Sequence, residues 1–193
     1  MKLVFASNNA NKFLEIRALL PDAIEILSLA DIGCNEDIPE TAATIEGNAI
    51  LKANHVTEKY GFDCFADDTG LEVDALDGEP GVYSARYAGE QKDSNANVDK
   101  LLRELAPHPN RNAQFKTVIT LNLSQQQHLF TGIVRGRIAT ERSGTNGFGY
   151  DPIFIADGYD VTFAELPMAE KSRISHRGIA VAQLVEFLQQ LTD

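Results

Sequence analysis

The sequence predicts an α/β fold with a mixed sheet, and three observations point to it. Short apolar runs suited to buried strands alternate with helix-period stretches up to Ala66. Two long β-rich runs then follow one another, Ala113–Leu123 and Leu129–Ala139, and an amphipathic helix closes the chain. Taken in order, Leu3–Ala6 reads as a strand buried on both faces. Phe13, Ile16 and Leu20 repeat at helical spacing over Asn11–Leu20, and Pro21 stops that helix. Ile24–Leu27 reads as a second strand. A polar stretch, Asn35–Thr44, leads into a helix over Ile45–Tyr60, with a stripe of Ile45, Ala49, Ala53, Val56 and Tyr60, ended by Gly61. Cys64–Ala66 is a third strand with Asp67 and Asp68 at its exit, Leu71–Val73 is extended, and Asp77–Gly81 is a turn. Asp93 or Ser94 caps a helix to Leu105. The two β-rich runs pair as a hairpin through Ser124–Gln127, Gly144–Tyr150 is a glycine-rich loop, and Pro152–Ile155 is a further strand. Ser175 caps a last helix to Leu191.

The 193 residues suit one domain, or two closely joined lobes sharing a core. A formal net charge of -11 repels polyanions, so nucleic acid and anionic membranes are poor partners; a small phosphorylated substrate still fits if cations gather locally. Cys34 and Cys64 lack CxxC spacing and read as reduced packing thiols of a cytoplasmic protein. No apolar run is long enough for a signal peptide or a membrane span.

Four segments carry chemistry. Ser7-Asn8-Asn9-Ala10-Asn11-Lys12 joins a buried strand to a helix: either an Asn-rich helix cap, or a phosphate cradle with Lys12 adding charge. Asp67-Asp68-Thr69-Gly70 is either a solvated acidic turn or a pair of carboxylates sharing a hard cation such as Mg²⁺, with Glu40 as a second ligand. Gly147-Phe148-Gly149-Tyr150-Asp151-Pro152 offers aromatic faces and a close backbone for a flat base, or else an aromatic strand edge in a core. Lys171 with Ser175-His176-Arg177 gathers cations at a helix N-terminus, which the helix dipole disfavours unless an anion offsets them. The four histidines show no zinc spacing, and neither a GxSxG nor an HExxH string is present.

Together with Gly81-Val82-Tyr83-Ser84-Ala85-Arg86-Tyr87-Ala88-Gly89, these strings run in order from residue 7 to residue 178, and the chain resembles the inosine triphosphate pyrophosphatase family. Asn8 stands where many members carry Gly, and Thr69 where bacterial members often carry Ser. The resemblance implies a single domain over residues 1–193, an elongated mixed sheet with flanking helices, and two lobes around a central active-site cleft, usually as a homodimer. It also implies hydrolysis of ITP, dITP or XTP to monophosphate and pyrophosphate. Ser7–Lys12, Thr69 and Lys171 would then bind substrate, with Lys171 on the triphosphate. Glu40 and Asp68 would bind Mg²⁺ with Asp67 as a further ligand, and Asp68 would activate water. The base would stack on Phe148 between Gly147 and Gly149, with Tyr150 nearby, and be read by Asp151, His176 and Arg177.

Overall fold

The structure, a computed structural model describing residues 1–191, is an α/β fold with a seven-stranded mixed sheet. Its strands are β1 (Lys2–Phe5), β2 (Glu25–Leu27), β3 (Cys64–Val73), β4 (Pro80–Gly81), β5 (Asn112–Leu123), β6 (Gln126–Ile138) and β7 (Phe154–Ala156). They are ordered β2-β1-β3-β5-β6-β7, with β4 on β3. β1 is parallel to both β2 and β3, whereas β4 on β3 and β7 on β6 are antiparallel. Among the described residues the helices are α1 (Ala10–Leu19), α2 (Ile45–Tyr60), α3 (Ser94–Leu105), α4 (Met168–Ile174) and α5 (His176–Gln190).

Three helices start where a side chain replaces the missing intrahelical acceptor. Asn9 accepts from the N–H groups of Asn11 and Lys12 at α1, Thr44 from Gly47 at α2, and Asp93 from Asn95 and Ala96 at α3. α2 stops at Gly61, whose φ of 75° is the left-handed conformation that a helix C-terminus favours. β5 and β6 are joined through Ser124 and Gln125, both at positive φ (49° and 67°), the geometry of a tight two-residue hairpin turn.

Several boundaries differ from the sequence reading. β3 does not end before the acids: it runs unbroken from Cys64 through Asp67, Asp68, Thr69 and Gly70 to Val73. Asp and Gly are poor strand formers, but cations described below compensate the acids, so the ladder continues. Pro80–Gly81, expected as part of a turn, pairs with β3. The hairpin turn is shorter than Ser124–Gln127 because β6 begins at Gln126. Asp151–Ile153 forms a 3-10 turn before the short strand at Phe154–Ala156. α4, with no side-chain cap and only seven residues, left no periodic signal.

The chain divides into two compact units. The first comprises Met1–Asp68, Thr117–Gly132 and residues 177–191. In it β1 alternates perfectly: Leu3 and Phe5 join Ile16 of α1 and Val181 and Leu184 of α5 in one cluster, while Val4 and Ala6 join Ala53 and Val56 of α2 in another. β3 does the same, with Phe65 in the first cluster and Cys64 and Ala66 in the second. The second unit, Thr69–Lys116 with Ile133–His176, has its own core around Leu101, Phe115, Phe154 and Phe163.

Candidate functional site

The alternation of β3 decides what its two acids meet. Asp67 has the parity of Phe65 and finds the α1 and α5 side; Asp68 has the parity of Ala66 and finds the α2 side. Asp67 is fully buried and accepts from Lys12 Nζ at 3.0 Å and Arg177 Nε at 3.3 Å. Arg177, buried at the start of α5, also pairs with Glu15, one turn beyond Lys12 on α1. Asp68, 8% exposed, lies 3.4 Å from Lys52 Nζ, and Lys52 in turn is 2.6 Å from Glu40 Oε1. Two adjacent carboxylates are thus held by different cations from different helices.

Their acidities part accordingly. Burial raises the Asp67 carboxyl, but the charges of Lys12, Arg177 and Lys52 outweigh it and hold the group well below the usual carboxylate range. Burial also raises Asp68; there Lys52 and Lys12 oppose it only in part, Glu40 and Asp67 add repulsion, and the net shift is upward. Lys12 is lowered by burial against the pull of Asp67, whereas the carboxylates around Lys52 overcome its burial and raise it.

Lys52 is the member of this cluster that the sequence reading passed over. It lies seven residues after Ile45 and beside Ala53, within the buried side of α2, together with Asn48. A lysine in such a stripe needs carboxylate partners, and that was the available signal. Asn48 Oδ1 accepts from the N–H of Ala42, fixing the segment that follows Glu40 against α2. Gly47 permits that approach: a Cβ there would come within 2.6 Å of the Ala42 Cβ.

Glu40 and Asp68 offer hard oxygen donors from two segments that converge on one ammonium, so the residues fit a divalent cation such as Mg²⁺ in the position Lys52 now neutralises. At the start of α1 the structure shows the helix cap: Asn9 Oδ1 takes the amides of Asn11 and Lys12, and Ser7 Oγ takes that of Asn9. Asn8, Ala10 and Asn11 are exposed there.

The second unit holds the remaining candidates. Lys171, expected with the triphosphate ligands, has its ammonium 2.6 Å from Asp151 Oδ2 and 5.4 Å from the centre of the Phe148 ring. The Phe148 amide donates to the same Asp151 oxygen at 2.8 Å. This turn requires glycine at 147, where φ is 74° and a Cβ would fall 2.0 Å from the Asp151 carboxylate. Gly149 also has positive φ, at 64°. Tyr150 is buried and donates to the Ser84 carbonyl. His176 is buried with its ring stacked on Phe115, centroids 4.4 Å apart. Thr69 lies half-buried in β3. The conflict of cations at the start of α5 is therefore relieved by carboxylates: Asp151 for Lys171, and Asp67 with Glu15 for Arg177.

Known proteins resemble this chain over nearly its whole length. The model of the Ham1 family matches residues 3–187. A dITP/XTP pyrophosphatase of Flavobacterium psychrophilum is 66% identical over 189 residues, covering 98% of this chain and 100% of that protein. The protein of the same name from Flavobacterium johnsoniae is 67% identical over 188 residues, covering 97% and 98%. Among solved structures, the Staphylococcus aureus Ham1 protein superposes with a TM-score of 0.90 at 42% identity, over 98% of this chain and 99% of its own.

Proposed function

The chain belongs to the Ham1 family, and from that premise we propose that it hydrolyses noncanonical purine nucleoside triphosphates (ITP, dITP and XTP) to the monophosphate and pyrophosphate, with Mg²⁺ as cofactor. The observation that carries this reading is the division of labour between Asp67 and Asp68. One carboxylate is locked in its charged form by cations, while its neighbour is shifted toward accepting a proton.

In this reading Asp68 takes the proton of the attacking water at a carboxylate oxygen, a role favoured by a pKa lifted from the ordinary aspartate value. Asp67 stays ionised and positions Lys12 and Arg177; it is also a candidate further metal ligand. Lys12, with Ser7, Asn8, Asn9, Ala10 and Asn11 in the loop before it, holds the triphosphate, and its ammonium meets the charge that develops on the leaving pyrophosphate. Glu40 and Asp68 hold the Mg²⁺ ion, which when bound neutralises phosphate charge.

In this proposal the base is read by residues near Phe148. Phe148 gives a stacking face, with Thr69, Gly149 and Tyr150 around it in the proposed site. The adjoining Asp151 and Lys171 pair an acceptor with a donor. A 6-oxo purine presents O6 as acceptor and N1–H as donor, whereas adenine presents the reverse. His176 and Arg177 complete the proposed base site. Each donor left unpaired against adenine costs about 1–3 kcal/mol, so several contacts give discrimination on the order of 10⁴.

Two free, buried thiols suit the cytoplasm, where the nucleotide pool lies, and no helix among the described residues is long and apolar enough to cross a membrane. The reading also has the enzyme working as a homodimer. A product assay with Mg²⁺ and ITP, XTP, GTP or ATP tests the whole reading. Pyrophosphate with IMP or XMP, and little turnover of ATP or GTP, is the expected result. Orthophosphate with the diphosphate would move the cleavage, and binding without turnover would remove the enzyme reading altogether.

A further inference from the structure

The first unit carries a second cluster of donors that the pyrophosphatase reading does not use. Cys34 follows the 3-10 turn Ala30–Ile32 and is buried against the α2 side of the sheet; Glu36 lies two residues on; His55 comes from α2. The Cys34 sulfur, a Glu36 oxygen and an imidazole nitrogen of His55 all lie within 4.8 Å of one another. His55 Nε2 is already 2.9 Å from Glu36 Oε1, and Tyr60 Oη donates to both oxygens of that carboxylate at 2.9 Å. We propose that Cys34, Glu36 and His55 form a zinc site, separate in residues and in chemistry from the Mg²⁺ ligands.

The donor types select the ion. One sulfur, one imidazole nitrogen and one carboxylate oxygen make the mixed, borderline-soft set that Zn²⁺ accepts and Mg²⁺ refuses. Tetrahedral zinc bonds set neighbouring ligand atoms about 3.3–3.7 Å apart, so small side-chain adjustments within the observed spread close the site. Water fills the fourth position. Binding deprotonates the Cys34 thiol and releases that proton to solvent. Tyr60 remains as a donor that orients the Glu36 carboxylate. Lys59, 2.5 Å from Glu36 and more than half exposed, competes for that carboxylate, and its flexible side chain can turn to solvent when the ion arrives. Half-buried Glu36 and His55 beside the buried sulfur leave the site reachable from water. Occupation ties the loop at 34–36 to α2, the same helix whose Lys52 faces Glu40 four residues further along the chain.

The test uses untagged protein stripped of metal, in reducing buffer with excess Mg²⁺ so that hard oxygen sites are filled. Co²⁺ is titrated in and the thiolate-to-cobalt charge-transfer absorption is followed, then Zn²⁺ is added to displace it. This signal requires a cysteine ligand and is independent of nucleotide turnover. One equivalent of Co²⁺ should develop the band and Zn²⁺ should bleach it. Cys34→Ser should abolish the band, Cys64→Ser should leave it intact, and His55→Gln should weaken binding about tenfold or more. Because His55 is only partly buried, that variant keeps the test clear of folding defects. No band, a band that survives Cys34→Ser, or unchanged affinity in His55→Gln would overturn the assignment.

Discussion

Asp67 and Asp68 are covalent neighbours with unlike surroundings, so the same replacement should have unlike effects. Asp68→Asn removes the proposed proton acceptor and keeps the shape; turnover of ITP should fall about 10²–10⁴-fold with the melting temperature little changed. Asp67→Asn leaves Lys12 and Arg177 without their shared counter-charge in a fully buried position. Breaking such a pair costs about 3–5 kcal/mol, so this variant should lose stability first, seen as a lower urea midpoint. If Asp67→Asn proves as stable as the parent, the charge pairing has been overvalued. Lys52→Met makes a third case. Glu40 and Asp68 then lose the ammonium they share, and Mg²⁺ should raise the melting temperature of this variant by more than it raises that of the parent. Equal shifts in the two proteins would count against Glu40 and Asp68 as the metal ligands.

At the scale of elements, α2 supports the proposed metal site, since it carries Lys52 to Glu40 and Asp68 and Asn48 to the Ala42 amide. Its start depends on Thr44, whose hydroxyl accepts from the Gly47 amide at 3.0 Å. Thr44→Ala should cost about 0.5–2 kcal/mol of unfolding free energy, measured by urea titration; no loss would mean that packing alone sets the helix start. α1 and α2 could be read from the sequence to within a residue or two by their apolar spacing and their stops at Pro21 and Gly61, and α3 by its cap. β3 could not. Asp67 to Gly70 looked like a loop because acidic residues and glycine seldom continue a strand, and the cations that allow it come from α1, α2 and α5, far away in sequence. The candidate site divides in the same way. Each motif was visible as a string, but Lys52 belongs to no string, and the pairing of Lys171 with Asp151 or of Arg177 with Asp67 needs the fold.

The molecule as a whole should weaken in alkali through one buried thiol. Burial pushes the Cys64 thiol up to about 11, partly offset by its hydrogen bond with Thr57. The thiol donates to the Ala53 carbonyl, linking β3 to α2. In the unfolded chain a cysteine titrates near about 8.5, so between there and about 11 the native state keeps a proton that the unfolded state has lost. The contribution of Cys64 is therefore complete below the lower value and fades as pH rises through the window. Urea midpoints measured across that range should fall less steeply in Cys64→Ala than in the parent; parallel slopes would assign the alkaline loss to other groups.

The alternation of β3 has a last consequence, for descent rather than for energy. Drift can alter the letters at positions 67 and 68, but it cannot alter how many letters precede them in the strand. One residue gained or lost after Cys64 would hand each acid the neighbours of the other, and repair would require coordinated changes in three helices and the Glu40 segment at once. Lineages that carry this pair should tolerate substitutions at the other positions of the strand while the spacing from Cys64 to the two acids stays fixed.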